Sequence, residues 1–249
     1  MILELATVPW FSVAGLKSAN PGPTALMTQR MDEAREDGKT LKIRQRWISL
    51  SKIPRHVIDA VIVAEDGTFY SHSGIDWFEV QESIERDLRE HRAARGASTI
   101  TQQLAKNLYL STSKDPVRKV KEVIITLLME HDLSKDRILE LYLNVIEWGN
   151  GIFGIEAASE AYFGKSVAEL TLDEAVRLAA VIPSPLRHRP DVDSRYVLRR
   201  KDIVLRRLTA RYENVYSPQK ENSSNQSLNE APADATTDSM DIDEGDNGL

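Results

Sequence analysis

Glu65 is the residue of this 249-residue chain whose type and surroundings best suit acid–base catalysis. It ends an apolar stretch that includes Val63 and Ala64, and Phe69 follows shortly after it. Partial burial raises the pKa of a carboxyl group towards the range that a general acid or base needs. A solvent-exposed glutamate at a helix end would explain the same residues, and this segment alone favours that simpler interpretation.

A polar run from Arg95 to Asn107 is the second candidate site. Ser and Thr compete for backbone hydrogen bonds inside a helix, so a ligand with many oxygens explains this density of hydroxyls and amides better. The candidates for binding sugar hydroxyls are Ser98, Thr99, Gln102 and Gln103, and Lys106 is the candidate for a phosphate. The alternative is a Ser/Thr-rich cap before an ordinary amphipathic helix.

The third element is a charged cluster of Arg118, Lys119 and Glu122. On a helix both basic residues share a face with Glu122, which by itself suggests a solvated salt-bridge face. However, the segment from Arg86 to Arg137 holds eleven Lys and Arg against seven Asp and Glu. A pyrophosphate leaving group would need such a positive field.

The composition excludes several classes of protein. Hydrophobic residues make up 41% and charged residues 28% of the chain, which argues against a disordered, collagen-like or multi-span membrane protein. The absence of cysteine excludes disulfides, zinc fingers, thiol nucleophiles and iron–sulfur clusters. The net charge of -6 arises in the last 33 residues, which hold eight acidic residues and one basic residue.

Three other patterns resemble known sites without the context those sites need. Gly149 to Gly154 fits a dinucleotide-binding fingerprint, but the preceding Ile138 to Trp148 is predicted to be helical, so a turn is favoured. Ser111 to Lys114 matches a transpeptidase motif whose other motifs are missing, which favours a polar loop with Lys114 available to an anion. The five histidines are dispersed, so no metal site is predicted from them.

The elements that must position these residues are mostly helices, because apolar residues recur at helical spacing between capping signals. One helix begins at Pro54 and leads into Glu65, a second begins near Asp76, and a third follows Asp115–Pro116. The one strand-like run lies between Thr40 and Leu50. The predicted fold class is therefore mainly α.

Further capping signals divide the second half of the chain. Ser134 is placed to begin a helix, and Gly164 stands where a helix ending at Phe163 needs a left-handed residue. Thr171 to Glu174 is a capping box before an alanine-rich helix that stops at Pro183.

These signals predict one domain over residues 40–212, preceded by a segment and linker over 1–39 and followed by a disordered acidic tail over 213–249. The longest uncharged stretch of the first segment, Leu5 to Leu16, has about 12 residues, whereas a bilayer span needs roughly 20. No complete transmembrane helix is therefore predicted in this chain.

Five ordered blocks of the sequence resemble the peptidoglycan glycosyltransferases of glycosyltransferase family 51, which elongate glycan strands from lipid II. The resemblance covers roughly Trp47 to Leu208. The blocks are Glu-Asp-x-x-Phe-x-x-His from Glu65, Gly-Ala-Ser-Thr-Ile-Thr-Gln-Gln from Gly96, Arg-Lys-x-x-Glu from Arg118, Ile138 to Asn144, and Gly151 to Ala158 with Tyr162 to Lys165. Without a transpeptidase domain, the chain resembles the monofunctional biosynthetic type.

The resemblance implies a lysozyme-like, mostly helical fold with a large lobe and a smaller membrane-facing lobe. It implies that Glu65 is the general base, which takes the proton of the acceptor 4-hydroxyl for attack with inversion while undecaprenyl pyrophosphate leaves. Glu122, with Arg118 and Lys119, would organise the pyrophosphate directly or through a divalent cation, Mg²⁺ or Mn²⁺. The family's motifs place Ser98, Gln103, Lys106 and Lys114 around the donor.

The implied partners are lipid II, the growing glycan strand, membrane lipid and cell-wall synthesis proteins, with no nucleic acid. The implied location is the bacterial inner membrane, with the catalytic domain on the periplasmic side. Family members normally carry a transmembrane helix before this domain, and Asn20 to Met27 resembles the segment after it, so residues 1–39 are interpreted as a remnant. A truncated chain or a misassigned start would explain the missing span, and the alternative is a soluble form that docks on the membrane through its smaller lobe.

Two alternatives come from other classes of function. A muramidase or lytic transglycosylase needs one acidic glutamate but no pyrophosphate site, so Lys106, Arg118 and Lys119 count against it. A catalytically idle binding module, for envelope partners or nucleic acid, is disfavoured by Glu65 and Glu122 and by the lack of a recognition-helix motif or an aromatic stacking platform.

Overall fold

The structure is a computed structural model that describes residues 9–90, 98–110 and 116–229. The described part contains ten α-helices, which confirms the mainly α fold class. They are α1 (Trp10–Gly15), α2 (Ala25–Glu36), α3 (Arg55–Glu65), α4 (Trp77–Glu90), α5 (Ile100–Tyr109), α6 (Pro116–Asp132), α7 (Lys135–Val145), α8 (Ile155–Phe163), α9 (Leu172–Val181) and α10 (Arg195–Asn229). The chain divides into two compact units, residues 1–208 and 209–249, and the candidate site belongs to the first.

The core is built around α3, in which every side chain from Val57 to Ala64 is buried. The alanine-rich, buried face of α9 packs along α3, and α5 packs against both α6 and α7. Because Glu65 is the last residue of α3, the packing of this helix fixes the position of its carboxylate. The catalytic candidate is thus attached to the most buried helix of the described chain.

A small sheet holds the strands in the order β1 (Arg44–Gln45), β3 (Ile152–Phe153) and β2 (Glu147–Gly149). β1 is parallel to β3, and β2 is antiparallel to β3. The glycine pattern at 149–154 therefore forms a hairpin that leads into α8, as the predicted turn requires. Gly151 and Gly154 both have positive φ, +69° and +81°.

The fourth sequence block serves mainly to join elements. Asn144 on α7 accepts a hydrogen bond from Ile48 N and donates to Ile48 O, both over 2.8 Å. Glu140 accepts from Leu50 N over 2.8 Å. These contacts tie α7 to the segment that precedes α3, so this block positions the helix that carries Glu65.

Several predicted capping sites are confirmed. Ser134 accepts a hydrogen bond from Arg137 N at the start of α7, and Thr171 and Glu174 form the capping box of α9. Gly164 follows α8 in the left-handed conformation, with φ of +68°. Local sequence therefore predicted where these helices begin and end.

Two predicted boundaries are wrong. Only Arg44–Gln45 of the strand-like run 40–50 pairs, because its partner β3 has only two residues. α7 ends at Val145 instead of continuing to Trp148, because Ile146 is extended and β2 follows.

At the other end of the domain, α10 continues past residue 212 to Asn229, and Pro218 lies within it. Residues 230–249 of the predicted acidic tail lie outside the described residues. Within the described ranges, no helix is both long and apolar enough to cross a membrane.

Candidate active site

Glu65 lies at the end of α3 with a side chain that is only 9% exposed. Burial raises the pKa of this carboxyl group to about 7, although the hydrogen bond from Gln103 and the positive charges of Arg200, Lys106 and Arg207 oppose the rise. A carboxylate with a pKa near the working pH is suited to accept a proton. The burial of Glu65 thus contradicts the exposed helix-end alternative and favours the carboxyl group with a raised pKa.

A chain of hydrogen bonds orients this carboxylate. Gln103 on α5 donates from Nε2 to Glu65 Oε2 over 2.9 Å, and the same nitrogen lies 3.4 Å from the carbonyl oxygen of Ser98. Tyr142 on α7, which is fully buried, donates from its hydroxyl to Gln103 Oε1 over 3.1 Å. The amide of Gln103 is therefore fixed at both ends, and its nitrogen must face Glu65.

The residue after Glu65 links the first and second sequence blocks. Asp66 accepts a hydrogen bond from Ile100 N, the first residue of α5, over 2.9 Å. It also lies 3.0 Å from His72 Nε2, while Gly74 N donates to His72 Nδ1. Since Nδ1 accepts, Nε2 carries the proton and donates to Asp66. The start of α5, and with it Gln103, is thereby tied to the end of α3.

The structure corrects the interpretation of part of the polar run. Thr99 and Gln102 are buried and form the capping box of α5, and Thr99 also donates to the carbonyl oxygen of Gly74. Thr101 donates to Glu130. These residues cap and pack the helix, as the alternative interpretation proposed, so they are not available to a sugar.

Lys106 is the member of this run that combines partial burial with a charged neighbourhood. Burial lowers the pKa of its ammonium group, the carboxylates of Glu122 and Glu65 raise it, and the positive charges of Arg118 and Lys119 lower it. The positive charge of Lys106 therefore interacts with the carboxylates of both Glu65 and Glu122.

Glu122 is buried on α6, with 3% exposure. Arg118 Nη1 donates to its Oε2 over 3.0 Å, and Lys119 Nζ bonds its other oxygen. Arg118 is 19% and Lys119 50% exposed in their side chains. The predicted pairing within the cluster is confirmed, and burial of Glu122 contradicts a purely solvated salt-bridge face.

Ser98 and Lys114 are the remaining predicted site residues. Ser98 is half-buried just before α5, where its carbonyl oxygen faces Gln103. Lys114 lies outside the described residues, so its predicted place near the donor stays a prediction.

Two cations of α10 that were not predicted as site residues approach Glu65. Arg200 Nη2 lies 4.0 Å from Glu65 Oε1, and Arg207 Nη1 donates to the carbonyl oxygen of Val63 over 3.2 Å. Arg200 follows the buried Val197 by three residues, and Arg207 follows the buried Val204 by three. Both arginines therefore lie on the side of the helix that faces the core. That periodicity was the available signal, but it does not say which residue they face.

The residues around Glu122 do not fit a metal site formed by the protein. Its carboxylate is already neutralised by Arg118 and Lys119. Across the described ranges, no three His, Asp or Glu side chains converge as metal ligands would. No catalytic step is therefore assigned to a divalent cation.

Known proteins are similar to this chain over most of its length. A family model described as Transglycosylase matches residues 34–209. A biosynthetic peptidoglycan transglycosylase of Janthinobacterium sp. (strain Marseille) is 41% identical over 210 residues, which cover 84% of this chain and 91% of the relative. Proteins with the same description match from Dechloromonas aromatica (strain RCB), 40% identical with 84% and 90% covered, and Aromatoleum aromaticum (strain DSM 19018 / LMG 30748 / EbN1), 48% identical with 68% and 74% covered.

The fold, the buried glutamate and the basic cluster define a helical glycosyl-transfer domain. The chain belongs to the transglycosylase family.

Proposed function

We propose that this protein is a peptidoglycan glycosyltransferase that polymerises glycan strands from lipid II in cell wall synthesis. The family and the names of the relatives support this activity. The single structural observation that carries it is the buried Glu65 carboxylate, which Gln103 orients. The charge of Lys106 interacts with this carboxylate and with Glu122, a second buried glutamate in a basic cluster. A polymerising enzyme needs a base at one end of its site and a pyrophosphate site at the other.

Glu65 acts as the general base. Its carboxylate takes the proton of the acceptor sugar 4-hydroxyl as that oxygen attacks the anomeric carbon of the lipid-linked chain. The bond from this carbon to the pyrophosphate oxygen breaks, so the configuration inverts and the lipid pyrophosphate leaves. Because Gln103 holds Oε2, the other oxygen of Glu65 is the one directed to the proton.

The basic cluster stabilises the leaving group. Lys106, Arg118 and Lys119 supply positive charge where negative charge develops on the pyrophosphate. Glu122 keeps the two cations of α6 in place, and Ser98 and Lys114 complete the proposed donor site. A hydrolase that cleaves glycan strands needs no pyrophosphate site, so it would not require this cluster.

The protein acts at the cell envelope, and we place it at the inner membrane, with the site on the periplasmic side. Trp77 and Phe78 at the start of α4 support membrane contact, since their side chains are 71% and 75% exposed. Exposed aromatic pairs of this kind suit the boundary between lipid and water. Membrane lipid and cell-wall synthesis proteins are the proposed partners besides the substrate.

The experiment that tests this function is incubation of the protein with labelled lipid II in detergent, followed by muramidase digestion of the product. Wild type should give a digestible polymer, and Glu65→Gln should lower the rate by a factor of ~10² to 10⁴. Glu36→Gln, which changes an exposed glutamate on α2, is the matched control. Cleavage of preformed strands without polymer formation would instead establish a lytic enzyme.

A further inference from the structure

The two oxygens of the Glu65 carboxylate have different neighbours. Oε2 accepts the hydrogen bond from Gln103, whereas Oε1 faces Arg200 Nη2 at 4.0 Å. That distance exceeds a hydrogen bond but leaves strong electrostatic attraction, because both side chains are largely buried, 25% and 9% exposed. Arg200 is therefore the cation on the side of Glu65 that Gln103 leaves uncovered.

The position of Arg200 is fixed by the salt bridges beside it. Lys201, the next residue on α10, bonds Asp173 at the start of α9, and Arg177 bonds the same aspartate. α9 packs along α3, the helix that ends at Glu65. Contacts among α10, α9 and α3 thus hold Arg200 near Glu65.

Arg200 is bonded differently from the other cations near Glu65. Arg207 donates to the backbone of Val63, and Lys106 lies close enough to Glu122 to share its charge with that second glutamate. Arg200 Nε, by contrast, is buried and has no hydrogen-bond partner among the described residues. A buried guanidinium nitrogen without a partner costs free energy, and the attraction between Arg200 and the Glu65 carboxylate offsets part of that cost.

We propose that Arg200 is a positioning residue that keeps the catalytic carboxylate of Glu65 ionised and its Oε1 directed into the site. The inference rests on the proposed function, which it deepens. A neighbouring cation opposes the effect of burial on a carboxyl group, so without Arg200 the base is protonated over a wider pH range. The other groups around Glu65 are Lys106, Arg207, Tyr142 and Asp66, and all of them remain in the Arg200 variants.

The test is the pH dependence of the initial polymerisation rate for wild type, Arg200→Gln and Arg200→Lys. Loss of the charge should move the acidic limb of the profile up by about one pH unit, with the rate recovering at high pH. Arg200→Lys should stay close to wild type. Arg199→Gln removes the same charge from an exposed position on the same helix and should leave the profile unchanged.

A second readout does not depend on turnover. The Glu65 carboxyl carbon can be titrated by NMR in the folded protein, with Glu65→Gln for assignment. A higher midpoint in Arg200→Gln than in Arg199→Gln supports the inference even if wild type fails to polymerise, a result that would overturn the proposed function alone. An unchanged midpoint, or an equal loss of rate at every pH, would overturn the role of Arg200.

Discussion

Gln103 and Glu65 are joined by a hydrogen bond of 2.9 Å between side chains from two helices, α5 and α3. The bond explains how a buried carboxylate keeps one orientation, because Tyr142 fixes the opposite end of the Gln103 amide. It also shows that the glutamine of the second block acts on the base of the first block. This arrangement and the contacts around it lead to five predictions.

Replacement of Glu65 by Gln should stabilise the folded protein at alkaline pH. The folded pKa of about 7 exceeds the ordinary value of 4.5, so the folded state binds more protons between these values and loses stability as pH rises through them. At pH 8 the variant should therefore gain about 3 kcal/mol in the free energy of unfolding over wild type. At pH 4 the gain should be close to zero, and a gain that is independent of pH would contradict the raised pKa.

Replacement of Tyr142 by Phe should lower activity more than stability. The change removes the hydrogen bond to Gln103 Oε1, so the amide that orients Glu65 is held at one end only. We expect a loss of about 1 kcal/mol in the free energy of unfolding and a rate about tenfold lower. Tyr109→Phe, which removes a tyrosine hydroxyl bonded to Ser12, is the control and should keep full activity.

Replacement of Lys119 by Ala should weaken use of the donor more than use of the acceptor. Lys119 bonds Glu122 in the proposed pyrophosphate site. Initial rates should be measured while the lipid-linked oligomer and lipid II are varied separately, with exposed Lys52→Ala as the control. An equal increase in KM for both substrates would contradict this assignment.

Replacement of Gly154 by Ala should destabilise the hairpin that leads into α8. The residue has φ of +81°, and a Cβ atom there would lie 2.7 Å from the carbonyl oxygen of Asn144, which is held in α7. Gly164→Ala is the matched control, with φ of +68° but no atom within 4 Å of the new Cβ. We expect a loss of roughly 1 to 2 kcal/mol for the control and a clearly larger loss for Gly154→Ala in chemical denaturation.

Replacement of Trp77 and Phe78 by Ser should reduce binding to phosphatidylglycerol and phosphatidylethanolamine vesicles. Each aromatic side chain gains about 1.5 to 3 kcal/mol when it is buried, so the double variant should bind more than tenfold more weakly. Leu172→Ser, at an apolar residue that is 44% exposed on α9, should not change sedimentation with vesicles. Equal binding by all three proteins would show that α4 does not contact the membrane.

Local sequence determined much of this protein. Caps at Ser134, Thr171 and Gly164 define helix ends through contacts within a few residues, so no knowledge of the fold was needed to find them. The pairing of Glu122 with Arg118 and Lys119 was equally predictable, because one helical turn brings these residues together. The ordered blocks likewise indicated the family through their residue types and spacing alone.

Tertiary packing decided what those residues do. Burial of Glu65 and Glu122, and with it the raised pKa of Glu65, depends on helices that lie far apart in the sequence. The same is true of the approach of Arg200 to Glu65 and of the bond from Tyr142 to Gln103. Helical periodicity shows which side of a helix faces the core, but only the packed fold determines which partner lies there, because that depends on contacts between distant segments.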